Sequence, residues 1–135
     1  MRSRAWLAVA LDVMWVLVFV VIGRASHAKG EYLGGIASTA WPFLAGLGAG
    51  WLALAALRPR SREATPLPAF GVVPAGVVAW LATVAIGMTL RVISGQGTAV
   101  AFIAVALAFL GLSLLGWRLL LRGAARLALR ELCCP

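Results

Sequence analysis

One acidic residue interrupts the first long apolar run of the sequence, residues 5–23. An ionised carboxylate at Asp12 would be costly inside hydrocarbon, so its side chain should face other helices and find a partner there. Arg118, near the end of the last apolar run, has a side chain long enough to reach it. Trp80, at a comparable predicted depth, offers an indole N–H as a donor. We therefore predict a buried polar site at Asp12, Trp80 and Arg118, in which Asp12 and Arg118 are paired.

Two interpretations of Asp12 are compatible with the sequence. A carboxylate inside a membrane can relay protons or cations, or it can be a paired group that fixes helix packing. A proton pathway usually requires several ionisable groups in series, and Asp12 is the only one near the middle of an apolar run. This pattern favours the packing role.

A second polar group follows the first apolar run and includes the single histidine of the chain. Arginines with nearby hydroxyl groups can form a pocket for an anion or a lipid headgroup, and His27 can titrate near neutral pH. The alternative is an interfacial loop whose arginines extend to the headgroups. A single histidine cannot complete a coordination shell by itself, so we expect no metal. The candidate residues of this outer-face site are Arg24, Ser26, His27, Thr39, Trp41 and Arg91.

Four apolar segments position these residues, and each is long enough to cross a bilayer as an α-helix. A span needs about 20 predominantly apolar residues, since each helical residue advances about 1.5 Å. Of the 135 residues, 63% are hydrophobic and 12% are charged, which is too few polar residues to cover a soluble domain. The sequence predicts an all-α membrane protein, a single compact bundle of four transmembrane helices. The predicted spans cover approximately residues 5–23, 36–57, 70–90 and 98–121.

The distribution of basic residues predicts the orientation. Nine Lys and Arg residues fall in the N-terminus, the central loop and the C-terminal stretch, and three fall in the other two loops. Because cytoplasmic loops carry the excess of positive charge, we expect both termini in the cytoplasm. Eleven of the twelve basic residues are Arg, which is typical of a GC-rich genome and favours the cytoplasmic membrane of a prokaryote. The net charge of +8 suits anionic lipids at the cytoplasmic face, whereas no soluble domain is present to bind nucleic acid.

The first run also has features of a secretory signal. Arg2 and Arg4 precede it, and Ser26-His27-Ala28 after it resembles a cleavage site. Asp12 interrupts the run and Arg24 lies just before the cleavage position, so a retained span is the favoured interpretation.

Residues 122–135 form a predicted basic amphipathic cytoplasmic tail. Such a segment suits a helix that leaves the bilayer and lies along anionic headgroups. Cys133 and Cys134 are neighbours, and a bridge between them would be strained, so we expect two free thiols. Four arginines, spaced four residues apart, form one stripe along that helix: Arg118, Arg122, Arg126 and Arg130.

Three short patterns bear on how the helices pack. Gly46-x-x-x-Gly50 permits close helix approach, either within the bundle, which we favour, or in a homodimer. Trp41-Pro42 predicts the start of the second helix, with proline in its first turn. Gly50-Trp51 recurs 66 positions later as Gly116-Trp117. This recurrence reflects either two repeated helical hairpins or coincidence in a chain with fifteen Gly and six Trp.

Asp12 and four short strings in this chain resemble one family of prokaryotic membrane proteins, domain-of-unknown-function family 3054. The resemblance covers about residues 8–120 and leaves out the arginine-rich tail and the cysteine pair. It implies a multi-helix membrane protein and brings no known activity. The strings are Gly23-Arg24-x-Ser26-His27, Thr39-Ala40-Trp41-Pro42-Phe43, Gly87-Met88-Thr89-Leu90-Arg91 and Gly116-Trp117-Arg118.

The sequence contains no recognisable catalytic set: no phosphate-binding glycine loop, no nucleophile with a base and no paired carboxylates. We therefore expect no enzymatic activity and no cofactor. The favoured function is a lipid- or partner-binding membrane protein. The main alternative is a small oligomeric transporter or channel component that uses Asp12. A membrane-embedded enzyme with His27 as its base is a third possibility, without a visible nucleophile to support it.

Overall fold

The computed structural model describes residues 2–25, 32–56 and 75–133, and these residues form four α-helices. Within those ranges there is no β-strand. A helix satisfies its backbone hydrogen bonds internally, which is why long apolar runs adopt it where water is absent. The helices are α1 Arg2–Ala25, α2 Tyr32–Ala56, α3 Val77–Ile93 and α4 Val100–Cys133.

The four helices pack as a closed bundle in which successive helices run in opposite directions. The contact between α2 and α3 is the most extensive, and α1 packs on α2, α3 on α4 and α4 back on α1. Arg24 at the end of α1 contacts Thr39 early in α2, while Trp51 late in α2 contacts Asp12. The end of α1 therefore lies beside the first half of α2, and the middle of α1 lies beside the end of α2.

Glycines explain the close approach of α2 and α3. A Cβ atom built on Gly46 would lie 2.9 Å from the backbone oxygens of Ala82 and Thr83. A Cβ atom on Gly50 would lie 3.0 Å from the Cβ atom of Ala82. The predicted close helix contact at Gly46-x-x-x-Gly50 is therefore present, and it lies within the bundle.

Four phenylalanine rings fill the middle of the bundle. Phe19 of α1 meets Phe43 of α2 edge to face, with ring centroids 5.4 Å apart. Phe102 and Phe109 of α4 lie 5.9 and 5.6 Å from the ring of Phe19. Contacts of this kind stabilise a core beyond the area that they bury. We call these four residues the phenylalanine cluster.

The outer surface of the bundle is apolar on every helix. Leu52 of α2 is 72% exposed and Leu112 of α4 is 78% exposed. Large apolar side chains in such numbers on the outside of a bundle mark a surface that another apolar phase covers. Three helices are long and apolar enough to cross a membrane, over Trp6–Ala25, Gly34–Ala56 and Val100–Ala128. The apolar helix Val77–Ile93 is shorter, and the predicted start of that span near residue 70 lies outside the described residues.

The predicted start of the second helix is wrong. The second helix begins at Tyr32, so Pro42 lies inside α2 instead of in its first turn. The proline is tolerated because its missing N–H would have bonded the carbonyl of Ser38, which instead accepts a hydrogen bond of 2.8 Å from the Gln96 side chain. Beyond the predicted fourth span, α4 continues as one element to Cys133, so the described part of the basic tail is the end of this helix.

Candidate functional site

The buried ion pair predicted between Asp12 and Arg118 is present. Arg118 Nη1 donates to Asp12 Oδ1 at 2.8 Å, and Arg118 Nη2 donates to Asp12 Oδ2 at 2.7 Å. Both side chains are completely buried. The parallel arrangement is the bidentate geometry that gives arginine–carboxylate pairs their strength and direction.

Two tryptophans complete the coordination of the carboxylate. Trp117 Nε1 donates to Asp12 Oδ1 at 3.0 Å, and Trp51 Nε1 donates to Oδ2 at 3.2 Å. The carboxylate therefore accepts four hydrogen bonds from described side chains, about as many as its two oxygens can take. We call Asp12, Trp51, Trp117 and Arg118 the Asp12 cluster. It joins α1, α2 and α4.

Trp80 does not belong to this cluster, so its predicted place beside Asp12 is wrong. Its indole N–H donates to the backbone carbonyl of Leu107 at 3.1 Å, and its ring packs where a Cβ atom on Gly111 would lie. Depth along a span is readable from sequence, whereas the direction of a side chain around its helix depends on packing. The recurring Gly-Trp pairs could have indicated the correct donors, because their tryptophans, Trp51 and Trp117, are the two that donate to Asp12.

Arg118 has further contacts that fix its position. Its Nη1 also donates to the Leu114 carbonyl at 2.6 Å, and its guanidinium lies 4.4 Å from the centre of the Trp117 ring. Its Nε is buried without a hydrogen-bond partner in the described part of the chain. Breaking a buried pair of this kind costs about 3–5 kcal/mol, because the remaining charge is left uncompensated. The contacts of the Asp12 cluster are those of a structural site that holds α1, α2 and α4 together.

A cavity of about 220 Å³ lies at the opposite end of the bundle. We call it the two-arginine cavity, because Arg24 of α1 and Arg91 of α3 both line it. With Thr39, these are three of the six residues predicted for the outer-face site. Trp41 is 44% exposed and is absent from the lining, and Ser26 and His27 lie outside the described residues. The described lining residues are Phe19, Val20, Gly23, Arg24, Thr39, Arg91 and Phe102.

Arg24 lies across the beginning of α2. Its Nη1 is 3.4 Å from Thr39 Oγ1, and the Thr39 hydroxyl donates to the carbonyl of Gly35 at 2.9 Å. A Cβ atom on Gly35 would collide with the Arg24 guanidinium. Glycine at position 35 therefore makes room for this arginine.

Arg91 is held from the other side of the cavity by the connection between α3 and α4. Its Nη1 donates to Gln96 Oε1 at 2.9 Å, and its Nη2 lies 3.4 Å from the Gly97 carbonyl. The guanidinium carbon lies 4.7 Å from the centre of the Phe102 ring. Gly95 and Gly97 both have a φ of 71°, a backbone conformation that favours glycine and turns the chain back toward Arg91.

Gln96 is the residue that sequence reasoning missed. It accepts from Arg91 and donates to the Ser38 carbonyl, so it connects the two-arginine cavity to α2. Two signals were available: a single glutamine between two glycines, and a proline that deprives one carbonyl of its donor.

The charge of the two-arginine cavity is unbalanced among the residues that the structure describes. Its described lining contains two guanidinium groups, a hydroxyl and apolar side chains, and no carboxylate. Groups of three or more potential metal-binding side chains are absent from the described residues. An arrangement of two arginines with phenylalanine walls can accommodate an anion that carries an apolar part.

The two polar sites are separated by the phenylalanine cluster. Asp12 and Arg24 are twelve residues apart in the same helix, which corresponds to about 18 Å along its axis. Phe19 lies between them and packs on phenylalanines from α2 and α4. Among the described side chains, the hydrogen bonds of one site do not continue into the other.

These features define a class: an all-helical protein whose apolar outer surface and long helices fit a membrane. The chain belongs to the family described as "Protein of unknown function (DUF3054)", which matches residues 9–121. The matched range contains the Asp12 cluster and the described lining of the two-arginine cavity. No curated protein and no solved structure matches the chain.

Proposed function

We propose that this protein is a four-span protein of a prokaryotic cytoplasmic membrane that binds an anionic lipid in the two-arginine cavity, without catalysing a reaction. The observation that carries the proposal is the convergence of Arg24 and Arg91 on one apolar-walled cavity. Two cations at the edge of an apolar bundle, with no carboxylate in the described lining, attract a ligand that carries negative charge.

The alternating helix directions support four spans, which would leave both ends of the chain on the same side of the membrane. Val77–Ile93 contains 17 residues and is about 26 Å long, close to the hydrocarbon thickness of about 30 Å. Apolar residues also precede it in the sequence. The excess of arginines in the termini and the central loop supports cytoplasmic ends, which places the two-arginine cavity at the other face.

The end of α4 supports a second contact with lipid. Arg122 and Arg126 are exposed beyond the residues that pack in the bundle. Each basic residue near an anionic surface contributes about 1 kcal/mol to association. This segment would hold the cytoplasmic face against anionic headgroups.

Native mass spectrometry of protein purified in a mild neutral detergent tests the lipid proposal. We expect the wild type to retain an anionic lipid, and we expect Arg24→Gln and Arg91→Gln to lose it. Gly48→Ala is the control, because Gly48 is exposed, meets nothing within 4 Å and lies outside both proposed lipid contacts. Equal lipid retention in all four proteins would contradict the proposal.

A transporter or channel component that uses Asp12 is the alternative function. The four hydrogen bonds to its carboxylate leave little capacity for a transported proton or cation, and the phenylalanine cluster interrupts a polar path. Both observations favour a packing role. Proton or cation flux into liposomes that Asp12→Asn abolishes would support the alternative over our proposal.

A further inference from the structure

We infer that the ligand of the two-arginine cavity is a single-chain amphiphile with one small anionic head, a phosphate or carboxylate, and an acyl chain packed against Phe19 and Phe102. This inference rests on the proposed lipid binding and names the chemical class. The lining divides into a cationic part and an apolar part, and a ligand must satisfy both.

The cationic part suits a compact anion. Arg24 and Arg91 reach the cavity from different helices, so an oxyanion between them would receive donors from two sides. The two Nη groups of Arg91 are bonded to Gln96 and to the Gly97 carbonyl, neither of which is charged, so its positive charge is uncompensated among the described residues. An anionic head in the cavity would supply the opposite charge.

The same charges disfavour a zwitterionic head. A choline or ethanolamine group would bring a third cation close to Arg24 and Arg91, and the described lining contains no carboxylate to offset it. An anionic head without an ammonium group avoids this repulsion. Among lipids of similar chain length, the charge of the headgroup therefore determines which one binds.

The size of the cavity limits the apolar part of the ligand. At about 220 Å³ the cavity is smaller than the roughly 300–1,000 Å³ of pockets that enclose a drug-sized molecule. It can hold a small head and the first carbons of one chain, which would lie on Phe19, Val20 and Phe102. The remaining carbons would continue into the surrounding lipid.

Ligand-dependent thermal unfolding in neutral detergent distinguishes the contribution of the headgroup to binding from that of the acyl chain. The probes are inorganic phosphate, lysophosphatidic acid and lysophosphatidylcholine with the same acyl chain, and phosphatidic acid with two such chains. We expect lysophosphatidic acid to raise the unfolding midpoint in a saturable manner, and the other three to have no effect at equal concentration. Arg91→Gln should weaken the apparent affinity by about tenfold or more, as expected for a lost charge-assisted contact. Arg24→Gln should act in the same direction and provides a second test if Arg91→Gln folds poorly.

The controls distinguish this inference from the proposed function. Gly48→Ala should keep the full response. A response that Arg122→Gln abolishes while Arg24→Gln and Arg91→Gln leave it intact would place binding on the end of α4 and overturn the inference. Equal stabilisation by inorganic phosphate would show a site for a free anion and would contradict both the chain contact and lipid binding. Equal stabilisation by both lysolipids would show that the head is not recognised. A response only to anionic lipids with two chains would preserve the proposed function and overturn the single-chain assignment.

Discussion

The side-chain amide of Gln96 donates a hydrogen bond of 2.8 Å to the backbone carbonyl of Ser38. In an uninterrupted helix that carbonyl would accept from the residue four positions later, which here is Pro42. A residue in the connection between α3 and α4 thus replaces the donor that α2 lacks.

Gln96→Ala should therefore destabilise the protein by about 1–3 kcal/mol, because the Ser38 carbonyl is left without a donor. Pro42→Ala restores a backbone N–H at the right position, so Gln96→Ala should cost much less in that background. A double-mutant cycle of unfolding free energies in micelles measures the difference. Equal costs in the two backgrounds would mean that Gln96 does not compensate for the proline.

Removing either partner of the Asp12–Arg118 pair should destabilise the bundle. We expect Asp12→Asn and Arg118→Gln each to lower the unfolding free energy by about 3–5 kcal/mol, because each leaves an unbalanced buried group. The double variant should lose less than the sum of the two, since no uncompensated charge remains. Denaturant titration in detergent measures these unfolding free energies. Single variants as stable as the wild type would argue against a role of the ion pair in holding the helices together.

The two indole donors to Asp12 should matter more than a tryptophan outside the cluster. Trp51→Phe and Trp117→Phe keep an aromatic ring and remove one hydrogen bond to a charged acceptor, worth about 1.5–3 kcal/mol. Most of that cost should disappear when Asp12→Asn is already present. Trp80→Phe is the matched control, because its indole bonds the Leu107 carbonyl and its cost should not depend on Asp12. The same dependence in all three would refute the assignment.

Two glycines of α2 should respond in opposite directions to alanine. Gly46→Ala places a methyl group against the backbone of α3 and should cost about 1–3 kcal/mol. Gly48 is exposed and meets nothing within 4 Å, so Gly48→Ala should be neutral or stabilising by up to about 1 kcal/mol through helix propensity. Unfolding free energies of both variants in one detergent provide the comparison. A harmless Gly46→Ala would contradict the observed helix contact.

The sequence was sufficient for the apolar segments and for one long-range contact. Each long apolar run forms a helix because its backbone has no other way to satisfy its polar groups. The Asp12–Arg118 contact was predictable because a carboxylate within an apolar run requires a donor, and few donors lie at a reachable depth.

The remaining details depended on helix rotation and on the loops. Trp80 has the right depth but turns toward α4, and nothing along the chain specifies that rotation. Gln96 acts through a tertiary contact with Ser38, so its role becomes visible only when the position of α2 is known. Proline prefers the first turn of a helix, so Pro42 suggested a helix start. Inside α2 it is tolerated because Gln96 supplies the hydrogen-bond donor that the proline lacks.

The uninterrupted length of α4 has a mechanical consequence. The same helix supplies Phe102 to the two-arginine cavity and Arg118 to the ion pair, then carries Arg122 and Arg126 beyond the packed bundle. Its 34 residues correspond to a length of about 51 Å, in which Arg118 lies about 24 Å from Phe102 and about 12 Å from Arg126. If the bidentate pair at Arg118 is the pivot, repacking around Phe102 moves Arg126 in the opposite direction by about half as much.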